Sequence, residues 1–284
     1  MPDGSQYEGP RCIRDLTSAE YHRDRTAVSS TTLKTILRTP AHCLAYQCEG
    51  KAETRAMLNG RALHAALLEP ELFAAEFAVV PKVDKRTTQG KAQLDAFRRE
   101  NAGKQLIEAD ELDYIGRLQL ALQRHPRARK LIELPGDAEL SLFWTDAATR
   151  LRLKVRPDRL LQTLPILVEA KSTCNAAQSA FIRKVVDFDY HLSLAMYIEG
   201  VRQVLQRDVQ PLFFVIEDAS FEICLYKPDA EMLRVGVQRF RRATEMFAQC
   251  VETNHWPGYQ PDACIQEISL PRWVAAKPHE SAAA

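Results

Sequence analysis

With 284 residues, 46% of them hydrophobic and 26% charged, the chain has enough apolar side chains to build a sizeable core and lacks the polar, strongly charged bias of disorder. Thirty-eight Lys and Arg against 37 Asp and Glu leave a net charge of +1, so a polyanionic partner has to be met by a local basic surface rather than by overall charge. The seven cysteines form no CxxC pair, and apolar runs such as 211–216 fall far short of the roughly 20 residues that cross a bilayer. A disulfide-stapled miniprotein and a membrane span are excluded, and a reduced, cytoplasmic setting is expected. Cys250 and Cys264 stand apart from the other cysteines, which favours buried thiols over an iron-sulfur cluster.

No repeat is visible, and the chain reads as one domain over 25–275 with flexible tails at 1–24 and 276–284. Ser29 and Ser30 ahead of Leu33, Ile36 and Leu37 predict a capped amphipathic helix, which Pro40 ends. A second helix is expected over 54–68, where Met57, Gly60, Arg61, His64, Leu67 and Leu68 recur at steps of three and four. Residues 82–104 read as a basic loop leading into an exposed helix. A further helix over 109–123 is followed by the basic cluster Arg124, His125, Arg127, Arg129 and Lys130. Either cluster is a candidate DNA-facing surface or an ordinary solvated face.

The apolar period then changes from 3.6 to 2. Leu140, Leu142 and Trp144 begin it. Over 150–156, Leu151, Leu153 and Val155 point one way while Arg150, Arg152, Lys154 and Arg156 point the other, until Pro157 ends regular pairing. Ile166, Val168 and Ala170 next share one face, with Leu167, Glu169 and Lys171 on the opposite face. Helices over 175–186 and 190–205, an antiparallel pair at 211–217 and 221–226, and a long helix over 229–252 complete the order. The fold class is α/β, a central mixed sheet flanked by helices.

A hairpin centred between residues 163 and 164 sets Asp158 opposite Glu169 and Arg156 opposite Lys171. Cross-strand Cβ atoms lie about 4.5 to 5.5 Å apart, and like charges placed so destabilise a sheet; two carboxylates there call for a cation. A small hard ion, Mg²⁺ or Mn²⁺, suits carboxylate oxygens. Lys171, two residues beyond Glu169, shares its face. Taken singly, His64 reads as a satisfied core histidine, Asp158 as a turn residue, and Glu169 and Lys171 as charges of an exposed strand. Against the last reading, Glu169 lies in the run 164–170, which is otherwise apolar, where a carboxylate without a partner would be costly.

Pro157-Asp158, ten residues, then Glu169-Ala170-Lys171 resembles the PD-(D/E)XK nuclease signature. Gly60-Arg61-Ala62-Leu63-His64 resembles the helix that supplies a histidine ligand in the exonuclease branch of that superfamily. With 29–40, 86–91, 154–158, 190–197, Trp256-Pro257-Gly258 and Leu270-Pro271-Arg272-Trp273, the text over 25–275 is similar to the exonuclease VIII (RecE-like) family of prophage recombination nucleases. The resemblance implies a restriction-endonuclease-like core in which His64, Asp158, Glu169 and the Ala170 carbonyl hold the ion and Lys171 orients the attacking water. It implies Glu139 as an acid for a second ion, with a surface acid as the alternative, and Tyr197 near the substrate, with a core or rim aromatic as the alternative. Ser193 stands where a Gln is often found four residues before that Tyr.

The implied activity is Mg²⁺-dependent digestion of linear double-stranded DNA from its ends, 5′ to 3′. It would leave single-stranded tails for an annealing partner and be carried out by a homo-oligomer. Arg156, Arg159 and Lys171, beside the acids, are expected to offset phosphate charge, and Lys171→Ala to leave the fold and DNA binding largely intact while cutting hydrolysis by orders of magnitude. The alternatives are an endonuclease on the same core and a DNA-binding recombination accessory that no longer cuts.

Overall fold

The computed structural model describes residues 9–49, 73, 75–84, 86–262 and 264–271. The helix expected over 54–68, with His64, lies outside these residues. The described chain runs β1 (Arg11–Ile13), α1 (Ser18–Arg23), α2 (Ser30–Arg38), α3 (Pro40–Glu49), β2 (Phe77–Val79), α4 (Thr88–Glu100), β3 (Gln105–Ile107), α5 (Ala109–Arg124) and α6 (Pro126–Glu133). It continues with β4 (Gly136–Ala138), β5 (Ser141–Thr145), β6 (Arg152–Val155), β7 (Arg159–Leu161), β8 (Ile166–Thr173), α7 (Gln178–Asp187), α8 (Tyr190–Leu205), β9 (Gln210–Glu217), β10 (Ile223–Tyr226) and α9 (Ala230–Thr253). Among the described residues no helix is long and apolar enough to cross a membrane.

Five strands form the central sheet in the order β10-β9-β8-β7-β4. β8 and β9 are parallel, and the other neighbours are antiparallel, so the sheet is mixed as expected. β8 is an inner strand whose alternation sorts two layers. Leu167 packs with Leu33, Ile36, Phe213, Phe240 and the α8 side chains Leu192, Leu194 and Met196. Val168 and Ala170 pack with Leu118, Ala128, Phe214 and Ile216 on the α5–α6 side. Glu169 and Lys171 therefore emerge on the face toward α2 and α8.

β5 and β6 belong to a second sheet, in the order β1-β5-β6. The chain leaves the central sheet after β4 and returns to it before β7. At the exit Glu139 takes a left-handed φ of 48°, a conformation that is strained for a non-glycine residue. At the return stand Arg156 and Pro157, and an ion pair of 2.7 Å between Glu139 and Arg156 ties the two crossings together.

Several local expectations change. Pro40 does not end helical structure; it opens α3, because its missing N–H and fixed φ suit the first position of a helix. The basic stretch after residue 124 is itself a helix, α6, with the His125 ring accepting from the Ala128 N–H at 3.1 Å. The segment expected as a tail over 1–24 contains β1, which pairs with β5, and α1, closed by a capping box between Thr17 and Glu20. Tyr21 on α1 is buried. The Lys154 ammonium donates to the carbonyls of Tyr21 and Asp24, and burial pulls its pKa down to about 8 despite Asp24. The polar face of β6 is thus covered by residues 11–24 rather than by solvent. All seven cysteines are free thiols.

Candidate active site

The β7–β8 register pairs Arg159 with Val168 and Leu160 with Leu167, the register expected from the sequence, and one step further sets Asp158 beside Glu169. The Ala170 N–H donates to Asp158 Oδ2 at 2.6 Å, fixing that carboxylate against the neighbouring strand. Lys171 Nζ lies 2.5 Å from Glu169 Oε1 and 3.9 Å from Asp158 Oδ2, and donates to the Ala170 carbonyl at 2.9 Å. Asp158, Glu169, the Ala170 carbonyl and Lys171 therefore form one cluster, as the signature implies. Register does not extend to Arg156 and Lys171, because the chain turns into the other sheet at Pro157.

The electrostatics of the cluster are unbalanced. Burial and the neighbouring Asp158 push Glu169 up to about 7, with Lys171 and Lys34 acting in the opposite sense. The two acids outweigh the burial of Lys171 and hold its ammonium well above the ordinary lysine range, so it stays charged at neutral pH. Glu169 Oε2 is buried and has no hydrogen-bond partner among the described residues. An orphaned carboxylate oxygen of this kind costs free energy, and a divalent cation would relieve it. The oxygen-rich donor set of two carboxylates and a carbonyl fits a hard ion such as Mg²⁺ or Mn²⁺. Among the described residues no three His, Cys, Asp or Glu side chains gather as a ready-made metal cage; His64, the third side-chain ligand that the resemblance implies, lies outside them.

Helices α2 and α8 close the cluster. Tyr197 on α8 hydrogen-bonds Ser30 on α2, and burial together with the charges of Glu169 and Asp158 pushes its hydroxyl pKa far up. It stands close enough to the acids for their charges to act on it. Glu139 reaches the same edge, its N–H donating to the Asp158 carbonyl at 3.1 Å, but its carboxylate is held by Arg156.

The two arginines turn inward. Arg156 donates to the Leu16 carbonyl at 2.9 Å as well as to Glu139, and its guanidinium lies 5.5 Å from the centre of the Tyr21 ring. Arg159 donates to the carbonyls of Ile132 and Leu134 at 2.9 and 2.7 Å. The expectation that they offset phosphate charge is corrected: both brace the hairpin from behind, because α1 and the α6–β4 turn cover what the alternation marks as a polar face.

Lys34 is the cation that the sequence reading passed over. It projects from α2 to within 5.3 Å of the Tyr190 ring centre, and Lys171 stands 5.5 Å from the same ring. Burial first, and Lys171 second, draw the Lys34 pKa down to about 8. The signal for it was a lysine directly after Leu33 on the apolar stripe of α2, rather than on the opposite face.

Two carboxylates facing each other across a hairpin, a lysine two residues on, and a helix-flanked mixed sheet define the restriction-endonuclease-like, or PD-(D/E)XK-like, class of fold. The chain belongs to the family of PDDEXK-like domains of unknown function DUF3799, whose model matches residues 29–267. Among solved structures it is similar to a candidate exonuclease from Eubacterium rectale, with a TM-score of 0.59 at 11% identity over 92% of this chain and 98% of that one. A looser likeness, with a TM-score of 0.31 at 13% identity over 81% of this chain and 96% of the other, links it to a phage-related exonuclease from Haemophilus somnus 129PT. The first of these supports the fold. No curated protein is similar enough to this chain to count as a relative.

Proposed function

We propose that the chain is a divalent-metal-dependent nuclease that hydrolyses DNA phosphodiesters, taking linear duplex from its ends. The observation that carries this reading is the orphaned Glu169 Oε2 beside Asp158, the Ala170 carbonyl and a lysine that stays charged. Asp158, Glu169, the Ala170 carbonyl and His64 would hold the ion, Mg²⁺ or Mn²⁺, which when bound supplies Lewis-acid polarisation of the phosphate and a more acidic water. Glu139 joins a second ion only by giving up Arg156.

The chain's own residues do the rest. Lys171, kept protonated by its two acidic neighbours, is a hydrogen-bond donor and not a base; it orients the attacking oxygen and offsets charge on the phosphate. Lys34 presents a second cation at the α2 side of the cluster. Tyr197, tied to Ser30, holds α2 and α8 at a fixed separation over the acids. Removal of one strand would leave single-stranded tails suited to an annealing partner, and a ring of copies would hold the duplex during repeated cuts.

The test is incubation with end-labelled linear duplex, with and without Mg²⁺, against covalently closed circles. Mononucleotide release from linear DNA only, dependent on the ion and lost in Asp158→Asn, is the expected result. A comparison of 5′ and 3′ labels gives the direction, with 5′ to 3′ expected. Cutting of closed circles moves the reading to an endonuclease, and absence of cutting with retained DNA binding moves it to an accessory protein.

A further inference from the structure

An exposed aromatic shelf adjoins the acid cluster. Phe188 caps the C-terminus of α7 and is 54% exposed. Its ring stacks on that of Tyr190 at 5.7 Å between centres and 20° between planes. Between them Asp189 takes a left-handed φ of 50°, a conformation that costs a non-glycine residue roughly 1 kcal/mol or more. Arg239 holds it there with two contacts, at 2.5 and 2.9 Å, to the two carboxylate oxygens. Across this turn Phe188 and Tyr190 share one stack.

The Tyr190 ring also meets the ammonium groups of Lys34 and Lys171, at 5.3 and 5.5 Å from its centre. The shelf thus joins two cations, a half-buried tyrosine and an exposed phenylalanine. A flat π system covalently attached to an anion complements both ends at once, and that is the chemistry of a nucleotide. Stacked bases are about 3.4 Å apart, so Phe188 lies within a few nucleotides of a phosphate held at Lys171. The bases of an intact duplex already stack on one another, whereas an unpaired base has a face to offer.

We propose that Phe188 is a positioning residue on which an unpaired base of the DNA end stacks while its strand is held at the acid cluster. This rests on the nuclease reading above. It assigns the site a preference for frayed or overhanging ends, and it gives the Arg239–Asp189 pair the task of holding the shelf.

The test uses the full chain carrying Asp158→Asn, with Mg²⁺, titrated with a blunt duplex and with the same duplex bearing a short overhang in which single positions are 2-aminopurine. Quenching at one or more overhang positions is expected. Phe188→Ala should abolish that quenching and weaken overhang binding about tenfold, the scale of one base–aromatic stack, with blunt-duplex affinity unchanged. Phe188→Trp should retain both. Because Phe188 also packs on Tyr190, Phe188→Leu serves as a second variant that keeps apolar volume without a π face, and it should show the same loss. Unchanged overhang binding in Phe188→Ala, or an equal loss on blunt duplex, overturns the proposal. So does a fall in solution mass by light scattering with DNA binding intact, which would give the patch to a second copy of the chain. If the wild-type chain cuts no DNA and Asp158→Asn binds neither duplex, the nuclease reading itself fails; cutting without dependence on Phe188 removes the shelf alone.

Discussion

Glu169→Gln separates what the acid cluster does for stability from what it does for chemistry. In the ion-free protein, burial and Asp158 raise Glu169 from an ordinary 4.5 to about 7. The folded state therefore keeps a proton that the unfolded chain has released, and between pH 4.5 and 7 folding stability falls as pH rises. At about 1.4 kcal/mol for each tenfold, the loss completed above pH 7 is about 3 kcal/mol. Gln is nearly the same shape and carries no charge to bury. The variant should lose most of that slope and be more stable than the wild type by up to about 3 kcal/mol at pH 8, with little difference at pH 5. Urea unfolding in EDTA at a series of pH values measures this, with an unchanged m-value as the check that the transition is the same. Added Mg²⁺ should then stabilise the wild type by mass action and leave the variant unmoved. A variant with the wild-type pH slope, or one less stable at pH 8, would refute the claim that Glu169 is held against its own solvation.

Lys171→Ala should abolish hydrolysis and, contrary to the sequence expectation of an intact fold, cost about 3 kcal/mol at pH 8 in ion-free buffer, because removing one member of a buried pair strands the other; recovery of the lost Tm by Mn²⁺, read in thermal melts, would confirm the cause. Gly236→Ala on α9 places a Cβ 2.3 Å from the His191 carbonyl, where overpacking of about 1–3 kcal/mol opposes a helix-propensity gain of about 1 kcal/mol; net destabilisation is expected by urea unfolding. Gly116→Ala on α5, with nothing within 4 Å, should be neutral or stabilising, and equal behaviour of the two glycines would contradict the close approach of α9 to α8. Thr17→Ala should cost about 1 kcal/mol through loss of the α1 capping box, seen as faster amide exchange over 18–23.

The signature hairpin was legible in the sequence because both of its requirements are local: a short connection sets the register, and period-2 alternation sets the face. Asp158, Glu169, Ala170 and Lys171 fall together for that reason. Arg156 and Arg159 were misread for the complementary reason. Alternation says that two residues share a face but not what covers it, and the cover here comes from residues 11–24 and from α6, distant in sequence. The same gap hid the transfer of β5 and β6 into a second sheet, which depends on the left-handed Glu139 and on Pro157. Pro40 carried two meanings, helix end and helix start, and only the packing of α3 against α2 decides between them. Lys34 lies on a helix whose apolar stripe was recognised, but its nearness to Lys171 is a tertiary fact.

Glu169 sits on β8, an inner strand hydrogen-bonded on both sides, and Asp158 directly ahead of its neighbour β7, with hydrophobic layers above and below. Exposing them by local opening would require breaking the middle of the molecule, so the reactive groups inherit the rigidity of the most protected segment. Adaptation is correspondingly partitioned: a new preference for one strand terminus over another has to be written into α2, α7 and α8, whose surfaces can be rebuilt while the reactive scaffold beneath them stays as it is.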